Sequence, residues 1–229
     1  MAAYGQFCPV ALGAEIFAER WTPLIVRELL AGGRRFSDIH RGVPRISRNL
    51  LVQRLESLRR SGIIDRHEAP NHRGHEYRLT DAGRELGAVV DALGMWGYKW
   101  ATRELTDEHL DPDFLMWALR RMVRVDALPE QRVVLHFSFR RHPSQHFWLV
   151  LHRRQVDLCL FDPGFEVDVS LDAEMEVLAR VCLGQIGLLQ AVKAGQIELS
   201  GPSHLRRALC DWLGVTRFAT MSKPVTAGR

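Results

Sequence analysis

Long polar side chains crowd one short stretch of the chain, residues 44–66, which reads PRISRNLLVQRLESLRRSGIIDR. Arg48, Asn49 and Gln53 each present several hydrogen-bonding groups, and the arginine guanidinium stays charged at any physiological pH. Residues 34–73 as a whole hold ten arginines against four acidic residues. This chemistry suits the recognition of an anionic partner that also offers hydrogen-bond acceptors.

Charge also distinguishes the two halves of the chain, which has 229 residues and a net charge of +4. Residues 1–104 hold 16 Lys and Arg against 12 Asp and Glu, whereas residues 105–229 hold 15 of each. The first half shows helical patterns with one short hairpin, and the second half opens with alternating strands. We therefore predict two domains, residues 1–104 and residues 105–229, joined at the acidic segment ELTDEHLDPDF.

The arginine-rich stretch is predicted to form a helix with two unlike faces. Ser47 suits an N-cap, and Gly62 suits the position just after a helix, where a left-handed residue ends it. Leu51, Leu55 and Leu58 recur at helical spacing and are expected to pack into a core. The polar side chains then lie on the opposite face, where a partner can reach them.

The neighbouring segments complete a recognisable order of elements. Residues 34–43 are predicted to form a short helix that buries Phe36 and Ile39, and the tight turn GVPRI follows it. Residues 63–80 hold two strand-like segments around a loop whose basic tip includes Arg73. The major groove of a DNA duplex admits one helix, while neighbouring basic groups neutralise phosphates. Helix, turn, helix and hairpin in this order therefore predict binding to double-stranded DNA.

The segment from Cys8 to Trp100 closely resembles the HxlR-type winged-helix transcription regulators of bacteria, which are related to the MarR group. The resemblance runs through CPVALGAEIFAERWTPLIVRELLAGGRRFSDIHRGVPRISRNLLVQRLESLRRSGIIDR and HEYRLTDAGREL to the WG pair that follows. It implies a homodimer that binds a roughly palindromic operator. It also implies that the helix from Thr80 to about Thr102 forms the dimer interface.

The same resemblance implies which side chains meet the DNA. Those expected on the recognition-helix face are Ser47, Arg48, Asn49, Val52 and Gln53. Arg73 is expected to contact DNA from the wing. Apart from the resemblance, the positive charges of Arg45 and Arg54 are expected to meet phosphates. Two roles stay open for Arg59 and Arg60, namely a phosphate contact or a favourable interaction with the negative end of the helix dipole.

The cysteines are Cys8, Cys159, Cys182 and Cys210, and none of their spacings is typical of a metal site or a redox pair. Structural disulfides are therefore not predicted. In several members of the family that the chain resembles, a lone cysteine at the position of Cys8 senses oxidants or electrophiles through its thiolate. The alternative for Cys8 is a structural role at a dimer contact.

The second half is predicted to form an α+β layer. The segments RVVLHFSFR, HFWLVLHR and VDLCLF alternate in polarity, which predicts three consecutive antiparallel strands joined by the turns RHPSQ and RQ. A fourth strand is predicted at residues 165–171, and helices are predicted at residues 172–184 and 185–195. The strand QIELSG and a last helix capped by Ser203 follow.

Residues 172–214 resemble the sterol carrier protein-like fold in their order of helix, Gly195, strand, Gly201 and helix. Pro202 departs from that pattern, in which an acidic residue or Asn often follows the second glycine. The resemblance implies an apolar tunnel for a lipid or another hydrophobic molecule. The candidate lining residues are Phe137, Phe147, Trp148, Leu149, Leu178 and Leu188. A fully packed core without a cavity is the alternative.

The predicted function is a dimeric, DNA-binding transcriptional regulator, with an apolar ligand in the second domain or oxidation of Cys8 as routes of control. The alternative is a lipid-binding protein whose winged helix serves only dimerisation. We expect no enzymatic activity and no cofactor, because the sequence holds no nucleophile motif, phosphate-binding glycine loop or paired carboxylates. We expect no metal, because His67, His72 and His75 lie close together only in a loop without the fixed spacing that a tetrahedral site needs. We also expect a cytoplasmic protein without a membrane span or signal peptide.

Overall fold

The computed structural model describes residues 3–69, 74–102 and 105–221. Contacts within the chain divide it into two compact units, Met1–Trp96 and Gly97–Arg229. This division falls within a long helix, whereas the sequence-based boundary lies a few residues further along, in the acidic segment that follows that helix.

The first unit has the order of elements that the sequence predicts for a winged helix. Its elements are α1 (Pro9–Phe17), α2 (Thr22–Leu30), α3 (Phe36–Gly42), α4 (Arg48–Arg60), β1 (Ile64–Glu68), β2 (His75–Leu79) and α5 (Asp81–Trp100). The strands β1 and β2 pair as an antiparallel hairpin. The predictions of the short helix, the recognition helix, the hairpin and the long helix are confirmed, except that Phe36 of the short helix is only partly buried.

Helix α4 is built as its pattern predicts. The Ser47 hydroxyl accepts a hydrogen bond from the backbone N–H of Leu50 at 3.3 Å, which caps the helix. Gly62 adopts a φ of 70° just beyond the last turn, where a residue with a Cβ would be strained. Leu51 and Leu55 are almost completely buried. One side of α4 is therefore committed to the core of the first unit.

That core joins the helices to the hairpin. Ile25 of α2, Ile39 of α3 and Ile64 of β1 are completely buried and share one apolar cluster with the leucines of α4. Each buried aliphatic side chain contributes about 1.5–3 kcal/mol relative to an exposed one. The position of α4 is therefore set by contacts with all the neighbouring elements.

The second unit is an α+β structure, as predicted. Among the described residues its elements are α6 (Pro112–Met122), β3 (Val133–Phe139), β4 (His142–His152), β5 (Gln155–Cys159), β6 (Val169–Ala173), α7 (Met175–Cys182), α8 (Leu188–Lys193), β7 (Ile197–Ser200), α9 (Ser203–Trp212) and α10 (Arg217–Met221). In the described parts of both units, no helix has the length and apolar character that crossing a membrane requires.

The strands of the second unit form one sheet in the order β5-β4-β3-β6-β7. The pairs β3–β4 and β4–β5 are antiparallel, as predicted, while β6 runs parallel to β3. Val133, Leu135, Phe137 and Phe139, which alternation along β3 places on one face, are buried in a core shared with the helices. The helices thus cover that face of the sheet.

The first strand connection differs from the prediction. β4 begins at His142, inside the segment RHPSQ that was predicted as a turn, so only residues 140–141 connect β3 to β4. A shift of register between Ser138 and Phe139 lets the longer strand pair with β3. Proline is compatible with such an irregular strand position, which is why the turn signal at Pro143 misled the prediction.

Other predicted boundaries are also wrong. The turn between β4 and β5 is residues 153–154, one position before the predicted RQ pair. The strand predicted at residues 165–171 is observed as Val169–Ala173, and α7 consequently begins at Met175 instead of Asp172. The pairing of β6 with β3 decides where β6 lies and where α7 begins, because this tertiary contact overrides the local helix signal.

Two helix starts complete the corrections. Ser203 was predicted to cap the last helix, but it is the first residue of α9. Pro202 occupies the cap position and makes no side-chain cap. Helix α6 was not predicted at all, because its acidic first turn was interpreted as a linker. Its start signal is nevertheless present: Asp111 Oδ1 accepts the Phe114 N–H at 2.9 Å, and Pro112 occupies the first helical position.

Candidate nucleic-acid interface

One face of α4 presents polar side chains to solvent while the other holds the helix to its unit. The exposed residues are Ser47, Arg48, Asn49, Val52 and Gln53, which we call the recognition face. They lie in the N-terminal half of the helix, the part that winged and other helix-turn-helix proteins bring nearest to base edges. The structure therefore places the residues predicted for base contact together on one accessible surface.

The recognition face carries the chemistry that base edges require. An arginine such as Arg48 can form a bidentate contact to guanine O6 and N7, and an amide such as that of Asn49 or Gln53 pairs with adenine N6 and N7. Val52, whose side chain keeps 53% of its surface exposed, offers an apolar contact for a thymine methyl group. All four base-pair orientations are thus within the range of these side chains.

Helix α4 is positioned through the end of α3. Arg27 Nη2 donates a hydrogen bond to the Gly42 carbonyl at 2.7 Å, and Arg27 Nε donates to Glu28 Oε1 at 2.9 Å. His40 Nε2 lies 3.1 Å from the Ile46 carbonyl and so bridges the turn before α4. Glu28 is fully buried. This joint was not predicted, although a glutamate within the apolar run LIVRELL was a signal for it.

The two arginines predicted to meet phosphates occupy different environments. Arg45 is exposed and lies just before the N-cap of α4. Arg54 instead places its Nη1 atom 2.7 Å from Glu19 Oε2, and the two side chains keep only 22% and 29% of their surface exposed. The guanidinium of Arg54 therefore already has an anionic partner within the unit, which competes with the predicted phosphate contact.

The last turn of α4 shows a similar internal pairing. Arg59 donates through Nε and Nη2 to the Glu56 carboxylate at 2.9 and 2.8 Å. This hydrogen-bonded pair raises the pKa of Arg59 and lowers the pKa of Glu56. Arg60 is exposed in the same turn. Of the two residues for which a phosphate contact stayed open, Arg60 is therefore the better placed for one.

The antiparallel hairpin of β1 and β2 forms the wing. The backbone N–H of Tyr77 donates to the Arg34 carbonyl at 2.8 Å, which attaches the wing to the loop before α3. Arg73 and the rest of the loop at 70–73 lie outside the described residues, so the wing contact of Arg73 stays a prediction.

A family model described as HxlR-like helix-turn-helix matches residues 16–105 of the chain. The HTH-type transcriptional regulator YvaP of Bacillus subtilis (strain 168) is 33% identical over 112 residues, which cover 48% of this chain and 95% of YvaP. The chain belongs to the HxlR-like helix-turn-helix family. It is a DNA-binding transcriptional regulator of the HxlR type, as its sequence predicts. The HTH-type regulator Rv3095 of Mycobacterium tuberculosis is 38% identical over 116 residues, 45% of this chain and 72% of Rv3095.

Three solved structures, two of them of regulators, match between 42% and 52% of this HxlR-type chain. The reduced form of YodB from B. subtilis is 29% identical, with a TM-score of 0.38 over 44% of this chain and 100% of YodB. The reduced form of the redox regulator HypR is 28% identical, with a TM-score of 0.38 over 42% of this chain and 95% of HypR. The sec-alkylsulfatase Pisa1 from Pseudomonas sp. is 17% identical, with a TM-score of 0.43 over 52% of this chain and 19% of Pisa1. The family assignment rests on the sequence relatives, since all three structural likenesses are weak.

Helix α5 of the HxlR-type regulator carries a row of exposed apolar side chains, which we call the α5 seam. Its members are Val89, Leu93, Trp96 and Trp100, which keep 46%, 50%, 61% and 51% of their surface exposed. Their spacing of four, three and four residues is that of a coiled-coil seam. Rows of large apolar side chains of this kind mark sites of protein contact.

Cys8 occupies the cap position before α1 and is exposed. Hydrogen bonds from the backbone N–H groups of Ala11 and Val10 lower the pKa of the Cys8 thiol. Burial has the opposite effect on Cys182, whose pKa it raises to about 12. Cys8 thus combines the access and the acidity that reaction with an oxidant or electrophile requires.

Most residues predicted to line a ligand pocket pack against one another instead. Phe137, Phe147, Leu149, Leu178 and Leu188 are all buried members of the apolar core of the second unit. Trp148 alternates with them along β4 and contacts His136, with ring centroids 5.2 Å apart. A cavity of about 520 Å³ in this unit has other walls, among them Arg141, His142 and Glu174. These positions favour the packed-core alternative over an apolar tunnel.

Proposed function

We propose that this regulator binds a specific, roughly palindromic operator as a homodimer and inserts the recognition face of each protomer into the major groove. The observation that carries the proposal is the division of α4 into a buried leucine stripe and an exposed face of Arg48, Asn49 and Gln53. Because the stripe fixes the helix, these donors are presented without a change of fold.

The α5 seam supports the dimeric part of the proposal. Its heptad-like spacing fits a second copy of the same helix, so that each seam covers the other. Helix α1 buries none of its residues within the chain, and Phe7 before it keeps 97% of its surface exposed. A two-fold pair of recognition helices would read two half-sites in opposite orientation, which is why a palindromic operator is proposed.

Control through Cys8 is the second part of the proposal. An exposed thiol with a lowered pKa is a larger fraction thiolate at neutral pH, and the thiolate is the form that oxidants attack. An apolar effector has less support, since five of the six candidate pocket residues fill the core. For the same reason, we do not favour a lipid-binding protein. The proposed regulator carries out no catalytic step and works in the cytoplasm, where its DNA lies.

Selection of duplexes from genomic fragments, followed by fluorescence anisotropy, tests operator binding. Arg48→Ala combined with Asn49→Ala should weaken binding to the selected duplex by tenfold or more, because each lost bidentate base contact costs about 1–3 kcal/mol. Arg60→Ala removes an equal charge from the far end of the same helix and should change the preference between duplexes little. If the unmutated chain binds no duplex at moderate salt, the proposed function is wrong.

A further inference from the structure

One hairpin turn of the second unit holds two arginines where arginine is disfavoured. Arg153 and Arg154 alone connect β4 to β5, between the paired residues His152 and Gln155. Both arginines have positive φ angles, 44° and 67°. A two-residue hairpin turn with positive φ at both positions favours Asn-Gly, since a Cβ is strained there. Backbone preference therefore does not explain arginine at these two positions.

One arginine of α6 lies beside this hairpin. Arg120 Nε donates to the Val156 carbonyl at 2.8 Å, which places the end of α6 beside β5. Arg154 Nη2 lies 3.5 Å from Asp126 Oδ1 in the segment that follows α6. We call the resulting set the hairpin basic patch, which consists of Arg120, Arg153 and Arg154.

Acidic side chains of the chain neutralise the hairpin basic patch only weakly. The Arg154 and Asp126 side chains keep 77% and 82% of their surface exposed, so water and salt screen their attraction. Among the described residues, Arg153 makes no hydrogen bond or ion pair through its side chain. Residues 105–229 hold 15 basic and 15 acidic residues, and residues 105–119 hold four acidic and no basic ones. Along the chain, the acidic residues of 105–119 therefore precede Arg120 and are separate from the arginines of the hairpin.

We propose that the hairpin basic patch binds the phosphate backbone of double-stranded DNA, in addition to the contact made by the recognition face. This rests on the proposed function, because the recognition face would bring the duplex to the same chain. A duplex carries a negative charge about every 1.7 Å along its axis, and guanidinium groups pair with phosphates bidentately. Attachment to a DNA-binding unit also raises the local concentration of phosphate.

A contact of this kind is independent of base sequence. It adds affinity for any duplex that extends beyond the operator, and it increases the dependence of that affinity on salt. Each phosphate contact contributes about 0.9 to the slope of log K against log salt concentration. The salt slope therefore distinguishes a backbone contact from a purely structural role of the turn.

Arg153→Asn combined with Arg154→Gly tests the proposal without endangering the fold, because Asn-Gly is the pair that this turn favours. The melting temperature of the variant should rise. Its affinity for an operator duplex with flanking sequence should fall about tenfold, and its salt slope should decrease by about 2 for each bound protomer. The matched control is Arg141→Gln with Lys193→Gln, two exposed charges of which Arg141 lies at the other end of β4. The control should leave affinity and slope unchanged.

Each other outcome overturns a stated part of the proposal. An unchanged salt slope in the hairpin variant would show that the hairpin basic patch does not contact the DNA backbone, while the proposed operator binding would still stand. Equal losses of DNA affinity in the hairpin variant and the control would show that net charge alone accounts for the effect, and would overturn the proposed role of the hairpin basic patch. If the hairpin variant instead loses binding to phosphatidylglycerol vesicles while its DNA affinity is unchanged, DNA is the wrong partner. Failure of the unmutated chain to bind any duplex overturns the proposed function as well.

Discussion

The buried carboxylate of Glu28 lies directly against Gly42, the last residue of α3. A Cβ atom at position 42 would overlap the Glu28 side chain, so only glycine fits there. Arg27 donates to both the Glu28 carboxylate and the Gly42 carbonyl. Because α4 begins a few residues after Gly42, this contact between α2 and α3 also determines where the recognition face lies.

Gly42→Ala should therefore destabilise the first unit. We expect the free energy of unfolding to fall by about 1–3 kcal/mol, because the added methyl group forces the buried carboxylate to move. Urea unfolding measures the change. Gly87→Ala in α5 is the control: the nearest atom to its new Cβ is Leu30 Cδ2 at 3.5 Å, an ordinary contact, and alanine favours the helix. Equal stability of the two variants would contradict the role of Gly42.

Arg54 and Glu19 form a pair whose function can be separated from DNA binding. If the 2.7 Å contact is the main role of Arg54, then Arg54→Ala and Glu19→Gln should each lower the free energy of unfolding by about 1 kcal/mol. Neither change should reduce the salt slope of DNA binding. A reduced slope in Arg54→Ala but not in Glu19→Gln would instead support the phosphate contact that the sequence predicts.

This pair also shows why the sequence predicted some features and missed others. The face of α4, its cap at Ser47 and its stop at Gly62 depend on residues within a few positions of one another, so their pattern is visible in the sequence. The contact between Arg54 and Glu19 joins two helices, and no local pattern reports it. The start of α7 failed for the same reason, since the pairing of β6 with β3 extends the strand past Asp172.

The α5 seam predicts the effect of a charge placed in it. Leu93→Glu should convert a dimer into monomers and raise the dissociation constant at least a hundredfold, because a buried carboxylate without a partner is costly. Ala88→Glu is the control, since Ala88 is exposed on α5 outside the seam. Sedimentation velocity measures both. A Leu93→Glu variant that sediments as the unmutated chain does would rule out the seam as the interface.

Cys8 should react before the other cysteines. Its pKa is lowered by the backbone hydrogen bonds from Ala11 and Val10, whereas burial raises the pKa values of Cys159, Cys182 and Cys210. Alkylation by iodoacetamide at pH 7, followed by peptide mass spectrometry, should modify Cys8 first and Cys182 only after unfolding. The rate at Cys8 should also reach its plateau at a lower pH than an ordinary thiol does. Similar rates at all the cysteines would contradict an activated thiol.

The histidine pair on the sheet of the second unit should make its stability depend on pH. His136 Nε2 lies 2.9 Å from His146 Nδ1, so one hydrogen fits between the rings and two do not. Burial, followed by the neighbouring charge of His146, lowers the pKa of His136, while Asp162 and Asp172 act in the opposite direction.

The direction of this pH dependence follows from the lowered pKa of His136. An unfolded histidine has a pKa of about 6.5, and the folded value for His136 lies below it, so protons bind the unfolded state more readily. The stability contributed by neutral His136 is therefore complete above about pH 6.5 and is lost as the pH falls towards the folded pKa of His136. Unfolding of the chain at several pH values between 8 and 5 should show this loss, and His136→Gln should reduce it. His152→Gln, at an exposed position of β4, the strand that carries His146, should keep the original pH dependence. The same pH dependence in His136→Gln and in the unmutated chain would show that the pair does not control stability.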